Sequence, residues 1–587
     1  MERGIEERRA VLTGWALGAF EAGCVLTDTG HLGSPSLFFL VPLSALCFYG
    51  LIAWVVAAVL GSQGKRLPWK WLYWFGLAGL IFLLRRRGLP VTSHLSFVGL
   101  GGIASLALWF LSIRPEPPRA AIWLGKFNAL APFLIWLGLH LALEKPREGD
   151  GPTQEVKSEK NVVLVTWDTV RADSLPLYGG AGLDTPNLER LATAGVVVRD
   201  FQAVASITAP SHMSMLTGMY PPSHGLRSNG LTAPETGIQN LPQQLRDAGW
   251  HTGAFVSALP VHAKFGFARG FEYFDQRPES SAGQQFAQIM RFSSSIARLF
   301  LPESLRGTLS VQGATTVSRA TDWYKKQSGP TFMWVHLFDA HGPYDPPEAY
   351  RKRAIARKAE GPHAVSPEDE EALVLQRGEI ELLDDLLGEL LASLSEKDPE
   401  LANTAVIVVA DHGECFGEGG IHLEHETSLY SATQHVPAIL TFPGSELTTQ
   451  PTLASHVDLA PTIMGFAGLE SISDFQGDNL LSPEDRTLTR GLYMEAYQER
   501  LGEDRMEGWV EGDWKFVRNL KGEEFLYRRS LGETNNFASK EPEVLATMRG
   551  KLESFLESIV VRTGAAGELS SSEEAAMQGL GYFEDDE

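Results

Sequence analysis

Residues 161–168 read NVVLVTWD, a short apolar, β-branched run that ends on an aspartate. A run apolar on both alternating faces suits a strand covered on both sides, as in a parallel sheet. Two more stretches repeat the arrangement. FMWVHLF (332–338) is followed by Asp339 and then His341, and TAVIVVA (404–410) is followed by Asp411 and His412. Helical spacing lies between them. TPNLERLATAG opens on Thr185 as a capping residue and stops on a glycine, and 238–248 and 367–397 carry helix-like patterns. Strands alternating with helices predict an α/β fold with a mostly parallel sheet. Ligands of such sheets bind beyond the carboxyl ends of the strands. Asp168, Asp339 with His341, and Asp411 with His412 are thus brought to one edge from three strand ends.

The flanks differ sharply from this middle. Before it lie five apolar stretches, at about 10–27, 36–61, 69–84, 95–113 and 121–143, most of them near the ~20 residues that a spanning helix needs. Arg3, Arg8 and Arg9 precede the first stretch, and Lys65, Arg66 and Lys70 fall in the second loop. By the positive-inside rule this predicts a multi-pass protein of the cell membrane with its soluble part outside the cytoplasm. Arg85, Arg86 and Arg87 run against that pattern, and four spans with a cytoplasmic domain is the competing topology. The expected division is a transmembrane region over 1–143, a polar linker over 144–160, a catalytic domain over 161–482, a C-terminal subdomain over 483–562 and an acidic tail over 563–587. Short strand-like pieces over 491–528 predict a smaller antiparallel sheet, followed by an amphipathic helix at 541–558. The tail has seven acidic and no basic residues and reads as flexible. The net charge of −22 over 587 residues argues against a nucleic-acid partner. Of three cysteines only Cys415 lies in the soluble part, so no disulfide forms within it; beside Asp411-His412 it reads as a bystander.

Asp168 taken alone suits either a turn or a cation ligand. Asp411 and His412 put an oxygen and a nitrogen donor side by side, a pairing that suits zinc or manganese, while carboxylates alone suit calcium or magnesium. His425 follows in a Gly-rich loop as a ligand or anion contact, and His422 reads as a solvated neighbour. In SITAPSHMSMLTG (206–218), Pro210 and Ser211 suit a first helical turn and Gly218 its stop. Thr208 then stands just before the helix. There it either caps the helix or, with an anion held by the helix start, acts as a nucleophile.

Six stretches in order resemble the sulfatase-like branch of the alkaline-phosphatase superfamily over about 161–535. They are NVVLVTWDTVRAD (161–173), TPNLERLATAGVVVRDFQAV (185–204), TAPSHMSMLTGMYPPSHG (208–225), HLFDAHGPYDPP (336–347), VVADHGECFGEGG (408–420) and HETSLYSATQHVPAILTFPG (425–444). The resemblance implies metal ligation by Asp168, Asp411 and His412 and a nucleophile at Thr208. It places His341 and His425 near the transferred group and Asn229 near the substrate. The chain also departs from the family pattern. Thr208 stands where sulfatases carry the cysteine or serine converted to formylglycine, His212 replaces the family arginine, and Thr169 replaces a second aspartate. A threonine nucleophile resembles instead phosphodiesterases, phosphoethanolamine transferases and lipoteichoic acid synthases.

The expectation is a membrane-anchored, metal-dependent hydrolase or transferase acting on an anionic phospho- or sulfo-ester of a lipid or glycan. Asp168, Asp411, His412 and Thr208 would hold a divalent cation, with Asp339, His341 and His425 as a second set. Thr208, His341 and His425 would do the chemistry, with Asn229 and His212 contacting substrate. Two alternatives stand beside it: a sulfuric ester hydrolase working without formylglycine, and an inactive membrane-tethered binding protein.

Overall fold

A computed structural model describes residues 146–154, 156, 158–233, 237–277, 311–358, 366–444, 453–482, 490–497 and 504–567. The five apolar stretches and residues 568–587 of the expected tail lie outside the described residues. Among the described residues no helix is long and apolar enough to cross a membrane.

The main sheet has eight strands: β1 (Arg147–Glu148), β2 (Asn161–Trp167), β3 (Val196–Val197), β4 (His251–Val256), β5 (Tyr273–Asp275), β6 (Thr331–Leu337), β7 (Thr404–Ala410) and β8 (Ala438–Thr441). Their order across the sheet is β1-β5-β4-β6-β2-β7-β8-β3. The five central strands β5, β4, β6, β2 and β7 run parallel, and β1, β8 and β3 pair antiparallel at the two margins. Every residue of β2, β6 and β7 is buried. That explains why these strands show no polar alternation in sequence: helices cover both faces. Each buried Val or Leu there contributes roughly 1.5–3 kcal/mol relative to exposure.

The register decides where the chemistry sits. Trp167 pairs with Leu337 on one side and with Ala410 on the other. Three strands therefore end level, and the residues just past β2 and β7, Asp168 and Asp411, emerge side by side. Asp168 N–H donates to the Leu337 carbonyl at 3.0 Å and Asp411 N–H to the Trp167 carbonyl at 3.3 Å. Thr169, at φ +55°, turns the chain away immediately afterwards.

Seven helices matter for the site and its support: α1 (Pro186–Thr193), α2 (Thr208–Thr217), α3 (Leu241–Asp247), α4 (Gly313–Tyr324), α5 (Glu370–Ser395), α6 (Leu459–Ala467) and α7 (Pro542–Ser558). Thr185 does not cap α1 with its side chain. Asp384 of α5 does that work across space, accepting from Asn187 N at 3.0 Å and Leu188 N at 2.8 Å. Sequence spacing sees only local caps, so the helix start was read correctly for the wrong partner.

A second sheet is antiparallel, with β9 (Leu492–Ala496), β10 (Met506–Glu511), β11 (Trp514–Asn519) and β12 (Glu524–Arg528) in sequential order. Helix α7 packs on it through Met548 and Leu552. Two charge networks join this sheet to the loops that carry Asn229 and His425. Arg227 donates to Glu495 at 2.5 Å, and Lys515 donates to the Leu429 carbonyl at 2.8 Å while pairing with Glu533. The start of the acidic tail is not loose: Ala565–Ala566 pairs antiparallel with Leu231–Thr232.

Candidate functional site

Asp168, Asp411 and His412 are completely buried and offer ligand atoms that all lie within 4.8 Å of one another. Burial pushes the Asp168 carboxyl up to about 8, with the His425 charge and the Thr208 hydroxyl pulling back. Asp411 is driven well above the carboxylate range by burial and by the Asp168 charge beside it. Asp168 Oδ1 and Asp411 Oδ2 have no hydrogen-bond partner. Two apposed buried carboxylates with unsatisfied oxygens cost several kcal/mol unless a cation meets them. The donor set of two carboxylates and one imidazole therefore fits a divalent metal.

The surroundings orient these ligands. His412 Nδ1–H donates to the Gly413 carbonyl at 3.0 Å, which leaves the Nε2 lone pair facing inward. Nε2 lies 3.3 Å from Thr208 Oγ1, 3.5 Å from Asp411 Oδ2 and 3.8 Å from Asp168 Oδ1. Asp411 Oδ1 is occupied by the Thr169 and His412 amides at 3.3 and 2.8 Å. His336, on β6, accepts from Ser257 N at Nδ1, so its Nε2–H points to Asp168 Oδ2 at 3.3 Å. Gly413 makes the turn possible, since a Cβ there would stand 2.0 Å from the Ala432 carbonyl oxygen. Gly413→Ala is expected to cost roughly 1–3 kcal/mol of stability, by the usual price of overpacking; chemical denaturation measures it.

Thr208 is the first residue of α2, one position further in than the sequence reading placed it, and Ile207 is the N-cap. All ten residues of this helix are buried, and Gly218 closes it at φ +64°. The first turn offers fewer backbone donors than expected. Ala209 N–H is taken by Asn229 Oδ1 at 2.9 Å, Pro210 has no N–H, and Ser211 N–H returns to the Ile207 carbonyl at 3.4 Å. Asn229 Nδ2, buried beside that contact, has no partner.

His212 lies one turn below Thr208. Its Nδ1–H donates to the Thr208 carbonyl at 2.8 Å, and Nε2 accepts from Thr166 Oγ1 at 3.0 Å. Burial, reinforced by His336, keeps it neutral. It steadies the backbone of Thr208 from inside the core.

His425 and His341 form the opposite wall. The His425 ring stacks on His412 with centroids 4.3 Å apart, and His341 meets it edge-on at 5.4 Å. Burial opposes a charge on His425, but Glu414, bonded to Nδ1 at 3.2 Å, outweighs it and raises the imidazole to about 9. Burial and the neighbouring His425 lower His341 to about 4. Its Nδ1–H donates to the Gly342 carbonyl at 2.7 Å. Asp339 turns elsewhere: its Oδ1 accepts from Gly313 N at 3.0 Å, at the start of α4. Among the described residues no metal-ligand cluster includes Asp339, His341 or His425. His422 is half exposed and pairs with Asp369, and Cys415 is a buried thiol 3.5 Å from Ser428 Oγ.

Glu414, His336, Tyr344 and Arg171 escaped the sequence reading. Tyr344 OH donates to Glu414 Oε2, and Arg171 grips the Glu414 carbonyl at 3.1 Å and Glu418 at 2.7 Å. A glutamate two residues past a ligand pair, and a histidine next to the end of an otherwise apolar strand, were the available signals.

Residues 160–469 match the family model for Sulfatase. The chain is 25% identical over 408 residues to "Uncharacterized sulfatase YidJ" of Escherichia coli (strain K12), covering 63% of this chain and 80% of that protein. It is 25% identical over 457 residues to an arylsulfatase of Clostridium perfringens (strain 13 / Type A), covering 66% and 90%. Among solved structures, a phosphonate monoester hydrolase of Agrobacterium radiobacter superposes with a TM-score of 0.54 at 18% identity, over 68% of this chain and 96% of that one. The phosphonate monoester hydrolase of Silicibacter pomeroyi does so at 0.54 and 20%, over 69% and 96%.

Proposed function

We propose that this chain, which belongs to the sulfatase family, cleaves or transfers an anionic phosphoester or phosphodiester with Thr208 as its nucleophile. One observation carries the reading: a threonine hydroxyl, not a cysteine or serine, stands 3.3 Å from His412 beside the two buried carboxylates. Threonine lacks the chemistry of a formylglycine precursor but is a competent alkoxide source. Asp168, Asp411 and His412 are the residues that would hold a divalent cation (calcium, magnesium, manganese or zinc). Once bound, the cation would supply positive charge to the ester oxygens.

The chain's own residues divide the remaining work. Thr208 Oγ attacks phosphorus in line as its hydroxyl proton passes to the Asp168 carboxylate it hydrogen-bonds, and it takes that proton back when the phosphothreonine is resolved; its backbone is held by His212 and by the Asn229 contact with Ala209. The ester bond to the alcohol breaks as His425, kept protonated by Glu414, gives a proton to the leaving oxygen. Neutral His341 is suited to the second half, accepting a proton from the water or alcohol that resolves the phosphothreonine.

Glu414→Gln removes the charge that sustains His425. The alkaline limb of kcat/KM should then move down from about 9 toward the ordinary histidine range. An unmoved limb assigns the acid to another group.

The family relatives favour a second reading, sulfuric ester hydrolysis at the same centre. A matched pair of aryl phosphodiester and aryl sulfate, assayed on one preparation, separates the two; faster sulfate turnover overturns the phosphoester assignment. We also propose membrane anchorage through the apolar stretches between residues 10 and 143. Release of the protein from the membrane fraction by alkaline carbonate would disprove it.

A further inference from the structure

Asn229 lies in a loop with no helix or strand of its own between Gly225 and Gly230, so the direction of its side chain is set from outside. One half of its amide is committed, since Oδ1 accepts from Ala209 N at 2.9 Å. The other half, Nδ2, is buried and has no hydrogen-bond partner among the described residues. A buried donor left unpaired is unfavourable unless a ligand meets it. Where Nδ2 points depends on how the loop's backbone is held. Arg227 ties the loop to Glu495 of β9 and stands over the Tyr497 ring at 3.4 Å. A second hold comes from the chain beyond α7. Arg562 N–H donates to the Pro222 carbonyl at 2.8 Å, Gly564 N–H to the Gly225 carbonyl at 2.8 Å and Gly567 N–H to the Gly230 carbonyl at 2.9 Å. The Arg562 guanidinium adds the Ser223 carbonyl at 2.6 Å. Ala565 and Ala566 pair with Thr232 and Leu231.

Resting on the reading that Asn229 meets the transferred group, we propose that residues 562–567 are a positioning strap for Asn229. The strap pins both ends of the loop, at Gly225 and at Gly230, the residue next to Asn229. It acts through Asn229 and not on the reacting atoms. Its sequence fits this task. A Cβ at Gly564 would stand 2.8 Å from the Gly225 carbonyl oxygen and 2.9 Å from that of Thr232, and one at Gly567 would stand 2.6 Å from that of Gly230. Glycine alone lets the two backbones approach so closely. Leu226, Ser228, Asn229 and Gly230 are buried, whereas Thr563 and Ala565 of the strap are exposed. An added methyl group therefore displaces the strap and leaves the loop's own packing intact. A pairing of two short strands is marginal by itself, and the Arg562 side chain supplies the anchor that secures it.

The test is a double-mutant cycle in the full-length protein. Gly564→Ala with Gly567→Ala unseats the strap, Asn229→Ala removes the side chain it aims, and a third protein carries all three changes. Hydrogen exchange over residues 225–232 should quicken about tenfold in the strap variant, while the segments of Asp168 and Asp411 exchange as in wild type. The value of kcat/KM is measured with whichever of an aryl phosphodiester or an aryl sulfate the wild type turns over faster. It should fall about tenfold in the strap variant. In the Asn229→Ala background the same two glycine changes should cost less than about twofold, since the residue they misaim is already gone. A change that merely destabilises lowers the folded population by the same factor in both backgrounds. Equal losses in the two backgrounds, unchanged exchange or undiminished turnover therefore overturns the inference. Arg562→Met removes only the guanidinium contacts with the Ser223 and Gly237 carbonyls. It should show the same dependence on Asn229 at about threefold, and it decides the matter if the glycine variant does not fold. A wild type that turns over neither ester overturns the catalytic reading instead, and exchange then decides by itself whether the strap holds the loop.

Discussion

Thr208→Ala should lower turnover of the preferred ester by roughly 10³-fold or more, the scale seen when a covalent nucleophile is removed. The folded state should survive the change. Thr208 Oγ1 makes its contact with His412 Nε2 at 3.3 Å, and the helix start is held instead by Asn229 on Ala209 and by His212 on the Thr208 carbonyl. Thermal unfolding within a few degrees of wild type, together with lost turnover, isolates the chemical role. Thr208→Ser keeps the hydroxyl and should retain much of the activity. Wild-type turnover in the alanine variant would remove Thr208 from the mechanism and leave the metal-ligand cluster in need of a different nucleophile.

Asp411→Asn should have opposite effects on the metal-free and the metal-loaded protein. In the metal-free state the folded pKa values of Asp168 and Asp411 are raised above the unfolded carboxylate values. The folded protein therefore binds more protons than the unfolded one, and stability falls as pH rises from about 4 toward 8. Asparagine needs no proton to sit in this buried place, so the variant without metal should melt higher at neutral pH and lose part of that slope. Metal should reverse the ranking. Wild type gains about 2.7 kcal/mol at a metal concentration of 100 Kd, whereas the variant, missing a ligand, should bind at least ~100-fold more weakly. Melting curves with chelator and with each of calcium, magnesium, manganese and zinc read both arms. Equal metal-induced shifts in the two proteins would exclude Asp411 as a ligand.

Much of the site was legible because three strands are buried on both faces and end in register. A buried parallel strand leaves a continuous apolar run in sequence, and the residue that ends it is where the chain meets solvent and ligand. Asp168 and Asp411 could be read that way. Asp339 follows the same pattern, and its Oδ1 accepts from Gly313 N. Nothing local announces that contact, because its partner lies 26 residues upstream. One amide of the expected anion cradle at the start of α2 is taken for a similar reason, since Asn229 reaches Ala209 N from 20 residues away. Glu414 was passed over because its meaning depends on His425 and Tyr344, which come from two other turns. Contacts between turns, more than strand ends or helix starts, hold the information that the sequence hides.

The antiparallel C-terminal sheet changes what can count as a heritable unit in this protein. Lys515 and Glu533 hold the chain that runs on from His425, through the Leu429 carbonyl and the Ser431 amide, and Glu495 anchors Arg227 two residues before Asn229. The family match ends at residue 469, ahead of all three of these anchoring residues. A recombination event that exchanged everything beyond that point for a foreign sheet would keep the metal-ligand cluster and Thr208 and lose the ties that hold the segments of His425 and Asn229. An exchange of the C-terminal sheet would therefore have to carry Lys515, Glu533 and Glu495 along to keep His425 and Asn229 in place.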